Sequence, residues 1–458
     1  MENLDPARTG IDGRVLRRGE EGYERLRRNA VWHAGTPERF PEVIVFASTE
    51  QDVVAAVRLA GELGLTVAVR SGGHSWSGAH LRDGSLLIDM SNLRHVEIDK
   101  ETMTATVQPG VRGSEVMAML RKQELYFPVG HNYAVGIGGF LLQGGFGWAG
   151  REYGPACMSV IAIDAVTADG ELVHADENEN SDLLWAARGS GHGFFAAVTR
   201  FTLRVYPLRA VTMSSIYYYP VELAADVFQF VHDSVHQTPM EVIAVVQRNA
   251  IADFEPVVLL YAYAFTDTEE EARRQLATLA SLPFRDSALS ADEYQRTQFG
   301  ITRLDETTGI MNEDRRWVAD NVAITGSFTP LRAGFDEIIR TLPAAPSYLM
   351  AFTWDGAIGA PERPSMAFSL EGEVCYALYT AWDDAADDEQ HHAWTTERMA
   401  QWAPLAWGTM LADENLINRA SRFVADDNLR ELDRLRAKWD PEQRFPVWLG
   451  RPELTPAP

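Results

Sequence analysis

Two periodicities divide the chain. Residues 43–47 are an apolar, β-branched run that predicts a strand, and Thr49 can cap a helix whose apolar positions Val53, Val54, Val57, Leu59 and Leu63 recur at roughly helical spacing until Gly64 stops it. Residues 66–69 return as a strand, so the pattern is a βαβ unit with a glycine loop at the carboxyl end of its second strand, where such units bind ligands. Short strands are predicted at 85–89, 94–98 and 103–108, a helix at 113–123, and a hairpin from 160–168 and 171–175 turning on Asp169-Gly170. A short helix at 180–187 and a strand at 198–206 follow. After Pro207 the runs lengthen: 212–219, 241–247, 257–265, 349–354 and 373–382 read as strands, separated by helical patterns such as 222–235 and 269–282. They predict an antiparallel sheet with helices on one face. Alternation puts Tyr376 and Tyr379 on opposite faces of their strand, so at most one of them faces a shared cavity. Residues 428–439 form a basic-studded amphipathic helix ended by Asp440-Pro441, and 445–449 are expected to pack back on the first part.

Composition narrows the partners. A chain of 458 residues exceeds one ordinary core, and the change of texture suggests parts at 1–207, 208–412 and 413–458. The net charge of −24 repels phosphate, which argues against nucleic acid and anionic membrane surfaces. Cys157 and Cys375, far apart in sequence, exclude a disulfide framework. Residues 1–20 lack the apolar core of a signal peptide and no apolar run approaches membrane-spanning length, so a soluble cytoplasmic protein is expected. Oligomeric state is left open.

Two glycine-rich stretches carry the candidate chemistry. In the loop at 70–78, Gly72 and Gly73 let backbone N–H groups approach a phosphate, Arg70 adds positive charge, and His74 stands where it could touch a cofactor. A glycine turn with a half-buried histidine is the plainer alternative. The stretch at 128–147 interleaves glycines with apolar residues, as a backbone pressed against something flat or bulky would require. Gly145, Gly147 and Gly150 match a nicotinamide-binding G-x-G-x-x-G, but no strand precedes them and Gly154-Pro155 cuts off the helix that should follow. His232 and His236 sit at i and i+4, yet Asp233 precludes a metal-hydrolase H-E-x-x-H and no third ligand is evident, so a surface helix is expected.

Read together, the loop at 70–78, the stretch at 128–147, Val166-Thr167-Ala168-Asp169-Gly170, Ala186-Ala187-Arg188-Gly189, Val198-Thr199 and Lys438-Trp439-Asp440-Pro441 resemble the berberine-bridge-enzyme-like FAD-linked oxidases of the vanillyl-alcohol-oxidase superfamily. The resemblance implies an α+β fold: a bipartite PCMH-type FAD-binding domain of two α/β subdomains, plus a substrate domain whose antiparallel sheet is covered by helices. It implies FAD held by Arg70, Ser71, Gly72, Gly73, Ser75 and Gly78, by Gly130, His131, Asn132, Val135, Gly136, Gly138, Gly139 and Gly145, and by Val198 and Asn418. His74 falls on the histidine of the 8α-histidyl bond. Asn132 stands where many members carry a second, cysteinyl link, and Cys157 lies well beyond that position, so one covalent link is expected. Val135 falls on the oxygen-gating position, which implies reaction with molecular oxygen. The Tyr-x-Asn motif reads Leu416-Ile417-Asn418, keeping the asparagine and losing the tyrosine.

The implied activity is hydride transfer to FAD from a C–OH or C–NH carbon, with electrons passed to O2 to give H2O2. The lost tyrosine and cysteine favour an aromatic or apolar secondary metabolite over a sugar. Tyr376, Tyr379, Asp355 and Glu373 are candidate proton acceptors. An oxygenating or cyclising tailoring enzyme, a sugar oxidase and a binding protein without turnover are the alternatives.

Overall fold

The computed structural model describes residues 9–132, 134–234, 239–248, 256–297, 313–354 and 362–451. Its first sheet is the βαβ unit with one strand added. β1 (Arg14–Arg17), β2 (Val43–Phe46), β3 (Thr66–Arg70) and β4 (Ser85–Asp89) lie in the order β1-β2-β4-β3, with β1 antiparallel at the edge and the others parallel. The crossover helix, Glu50–Leu63, begins with a capping box between Thr49 and Asp52 and ends on Gly64 at φ 66°. Asp52 also accepts the Asp12 and Gly13 N–H groups, which pins the N-terminal segment to the helix start.

A second sheet takes β5 (Val96–Asp99), β6 (Thr104–Val107), β8 (Val160–Val166), β9 (Leu172–Ala175) and β10 (Ala197–Arg204) in the order β5-β6-β10-β8-β9. The two-residue strand β7 (Leu125–Tyr126) pairs with β11 (Tyr206–Pro207). The C-terminal helix, Asp426–Trp439, returns to this half of the molecule. There Lys438 meets Asp182 at 2.6 Å, the Trp448 indole donates to the Ser190 carbonyl at 2.7 Å, and Phe445 is buried.

The third sheet is antiparallel and has seven strands. β12 (Val211–Pro220), β13 (Glu241–Gln247), β14 (Val257–Thr266), β15 (Ser290–Thr297), β16 (Arg316–Ile324), β17 (Tyr348–Thr353) and β18 (Val374–Trp382) run in the order β15-β12-β14-β13-β17-β18-β16. The apolar pattern misses two of them. β15 is a largely exposed polar edge with no buried face to impose alternation, and Asp320 and Asn321 interrupt the apolar run of β16. Side-chain alternation divides the sheet between two cores. Val242, Ala244, Tyr376 and Leu378 pack beneath the helices Ala224–Ser234, Glu269–Ala280, Arg332–Thr341 and Asp388–Trp402. Ile243, Val245, Tyr261, Phe352 and Tyr379 join the core shared with the N-terminal sheets.

Two sequence expectations change here. His232 is buried rather than on a surface, its Nδ1 lying 3.0 Å from the Tyr376 hydroxyl and its Nε2 against the Gly326 carbonyl. His236 lies outside the described residues, and among those described no group of three His, Cys, Asp or Glu side chains is placed to hold a metal. Among the described residues no helix is long and apolar enough to cross a membrane.

Candidate functional site

The loop after β3 and the glycine stretch cross each other in contact. A Cβ on Gly72 would lie 2.5 Å from the Gly136 nitrogen, and one on Gly136 would lie 2.6 Å from the Gly72 nitrogen, so neither position tolerates a side chain without moving a backbone. Gly73 follows at φ 73°. Ser71 locks the crossing, its Oγ accepting the Gly139 N–H at 3.1 Å. His74 emerges from this crossing onto a cavity of about 240 Å³, whose lower wall also includes Ser75, Gly130, His131, Asn132 and Val135. Burial holds its imidazole neutral, with a pKa lowered to about 4.

A second cavity of about 90 Å³ adjoins the first, and Val69, Ser71, Ala79, His80, Leu142 and His192 border both. Gly138 and Val198 line this inner part. The junction is rich in unanswered polar groups. Nε2 of His80 and both ring nitrogens of His192 are buried with no partner among the described residues, and burial lowers both pKa values to about 3. The indole N–H of Trp148, on the wall of the larger cavity, is also unpartnered. Such groups cost free energy unless a ligand satisfies them. Two adjoining cavities with a close-packed glycine crossing at one side and neutral donors and acceptors between them fit a dinucleotide with a flat ring system, as FAD is.

The opposite wall is the seven-stranded sheet. Alternation presents Ile243 and Val245 of β13, Tyr261 of β14, Tyr348, Met350 and Phe352 of β17, and Tyr379 of β18. Into this apolar roof a returning segment inserts one carboxylate. Asp413 accepts the Tyr379 hydroxyl at 2.8 Å and the Trp76 indole N–H at 2.6 Å. Burial raises the Asp413 pKa, against those two hydrogen bonds, which favour the carboxylate; burial and the neighbouring carboxylate push the Tyr379 phenol well up. The segment is held by Asn321 of β16, which donates to the carbonyls of Met410 (2.9 Å) and Asp413 (2.8 Å) and accepts the Met410 N–H (2.7 Å). His131, on the cavity wall, leads to a second acid: its Nε2 lies 3.2 Å from the Glu241 carboxylate, which is 4% exposed and sits behind it.

Residues 41–176 match the family model of an FAD binding domain. Over 421 residues the chain is 33% identical to the FAD-linked oxidoreductase nodO of Hypoxylon pulicicidum, spanning 91% of this chain and 92% of that one. The chain belongs to the FAD-linked oxidoreductases. The janO protein of Penicillium janthinellum, also an FAD-linked oxidoreductase, is 30% identical over 91% of this chain and 93% of its own. The fold of this oxidoreductase superposes on 6-hydroxy-D-nicotine oxidase of Arthrobacter nicotinovorans with a TM-score of 0.83, at 20% identity and covering 100% of each chain.

Within this oxidoreductase several expected site residues lie elsewhere. Tyr376 faces the helices, buried against His232 and Trp402, because it is three residues from Tyr379 on a strand of period two. Arg70 borders the cavity, but its guanidinium is engaged by both Asp89 oxygens at 3.0 and 3.1 Å and by the carbonyls of Ala30 and Gly72, so it braces the loop instead of offering free charge. Gly78 turns away at φ 59° against Pro37, and Gly145 lines a small recess behind Phe146. Asn418 is exposed, donating to Asn415 at 2.8 Å on the far side of Trp76. The segment that reaches the cavity is Met410, Ala412 and Asp413, a few residues earlier. Asp355 lies outside the described residues. Asp413 and Glu241 were missed; the signal for Asp413 was an acid directly following the apolar residues 410–412, and Glu241 had none beyond opening a buried strand.

Proposed function

We propose that this oxidoreductase is an FAD-dependent oxidase with a single covalent bond to its flavin, from His74, acting on a C–OH or C–NH carbon of an apolar or aromatic small molecule of secondary metabolism. Bound FAD supplies the electron-pair acceptor, and molecular oxygen takes the electrons on to H2O2. In this reading residues 1–207 and 413–458 hold the cofactor and 208–412 roof the substrate. The observation that carries the reading is the Tyr379–Asp413–Trp76 network, a proton acceptor set into an otherwise apolar roof above the histidine loop. Asp413 takes the substrate proton through the Tyr379 hydroxyl, which the Tyr348 ring stacked at 4.5 Å and the bond to Asp413 keep oriented. The apolar lining supports a substrate that gains by leaving water, which argues against a sugar.

Denaturing gels of the purified yellow protein test the link: a fluorescent band and a mass increase of one FAD, both abolished by His74→Ala, are expected, and flavin released freely from wild type would refute it. Anaerobic mixing with aromatic and polyketide-like alcohols and amines tests the reaction. Bleaching followed by H2O2 release in air supports an oxidase; binding without bleaching would sink it. The His131–Glu241 pair favours a second reading, oxidation followed by cyclisation, because ring closure calls for a second group that moves a proton. A product lighter by two hydrogens and carrying a new ring would distinguish it.

A further inference from the structure

We propose that Trp32 is a positioning residue that presents His74 for covalent attachment of the flavin, an inference that rests on the His74 link proposed above. The indole of Trp32 stacks on the His74 imidazole with planes 3° apart and ring centroids separated by 4.7 Å. Trp32 does not border the cavity, whereas His74 does, so the stack supports the imidazole from behind. Apart from its own backbone, the imidazole has no hydrogen-bond partner among the described residues, so its orientation rests on that bond and on ring packing, in which the Trp32 stack lies nearer than the Trp76 ring.

Trp32 is itself boxed. The Trp76 ring stands at 90° to it with centroids 4.9 Å apart, His33 meets it edge-on at 5.1 Å, and Trp317 approaches at 6.2 Å. Its backbone N–H donates to the carbonyl of Gly73, the residue before His74, at 3.2 Å. His33 is fixed at both ends: Nδ1 accepts the Gly35 N–H at 3.1 Å, which leaves the proton on Nε2 to be donated to the Trp76 carbonyl at 3.2 Å. The indole N–H of Trp32 is buried without a partner among the described residues, so packing on its faces and edges orients the ring.

Attachment forms one bond, from an imidazole nitrogen to the methyl carbon at position 8 of the flavin. It breaks a C–H bond of that methyl and the imidazole N–H. The electron pair and both protons leave the ring system reduced by two electrons, and dioxygen removes both electrons and both protons as H2O2. The nitrogen must meet a single carbon, so the cost of losing its orientation falls on the rate of attachment and not on FAD affinity. The groups facing His74 besides Trp32 are Trp76, with His33 and Arg112 as the nearby charge-bearing side chains.

The test uses full-length protein expressed under riboflavin limitation and loaded with FAD in air, following the covalent fraction by intact mass and total FAD by absorbance. Trp32→Phe keeps a ring face, Trp32→Leu keeps bulk without one, and Trp32→Ala keeps neither. Attachment within about twofold of wild type is expected for Trp32→Phe, and rates at least about tenfold slower for the other two, with FAD still bound non-covalently. Trp32→Leu attaching at the wild-type rate would overturn the proposal even if Trp32→Ala fails to fold. Wild type that never attaches FAD would instead overturn the His74 link on which it rests.

Discussion

Asn321 is the residue through which the fold controls the proposed proton acceptor, and its replacement by alanine is the sharpest test of that dependence. The side chain is fully buried and makes three hydrogen bonds to the segment that carries Asp413. At about 1 kcal/mol net per buried bond, and somewhat more where the Met410 N–H and the Met410 and Asp413 carbonyls are left unanswered, Asn321→Ala should destabilise by about 3–4 kcal/mol. Asn428→Ala is the control: it removes two bonds, to the carbonyls of Met366 and Ala367 at 3.0 and 3.1 Å, away from the acceptor. It should cost about 2 kcal/mol and leave the cavity intact. Urea unfolding followed by tryptophan fluorescence reads the stability, and stopped-flow bleaching of the flavin by a bleaching substrate reads the site. Asn321→Ala should slow bleaching in folded protein, beyond any effect of Asn428→Ala. A loss below about 1 kcal/mol together with an unchanged bleaching rate would refute the reasoning.

Tyr379→Phe and Asp413→Asn should each slow flavin reduction by about 10²–10⁴-fold without releasing FAD, and Tyr376→Phe should leave that rate unchanged; equal effects at the two tyrosines would contradict the face assignment. Asn132→Cys, combined with His74→Ala, should restore acid-stable flavin if residue 132 stands where a cysteinyl link forms, and intact mass reports it. His33, whose pKa burial lowers from 6.5 to about 4, binds a proton in the unfolded chain before it does in the folded one. Stability from this group is present above pH 6.5 and lost as pH falls towards 4, by about 1.4 kcal/mol already at pH 5.5. His33→Gln, which keeps a donor and an acceptor, should lose that much less between pH 7.5 and 5.5 in urea unfolding. Asp413 and Glu414, whose pKa values burial raises, act in the opposite sense but equally in both proteins, so they cancel from the difference.

Much of the architecture was legible because it is written in local terms. Thr49, Asp52 and Gly64 mark the crossover helix by backbone hydrogen bonding within a few residues, and the strand runs of the seven-stranded sheet show wherever both faces are buried. The strands that escaped, β15 and β16, are those whose burial is absent or interrupted by polar residues. The loops the resemblance pointed to line the cavity, but Asn418 does not, because the returning segment is set by the clamp between Asn321 and residues 410–413 and not by motif spacing.

What the chain determined by itself is most of its secondary structure, the glycine-rich loop that carries His74 and the opposed faces of Tyr376 and Tyr379. Each follows from backbone sterics or from a period of two, which act over a few residues. The tertiary structure alone decided which chemistry meets. Trp76 and Asp413 are 337 residues apart, His131 and Glu241 are 110 apart, and Arg70 loses its free charge to Asp89 on a neighbouring strand. A side chain's partners depend on the packing of whole sheets, so the acid, the aromatic box around His74 and the unanswered groups between the two cavities come into view only once those sheets are placed.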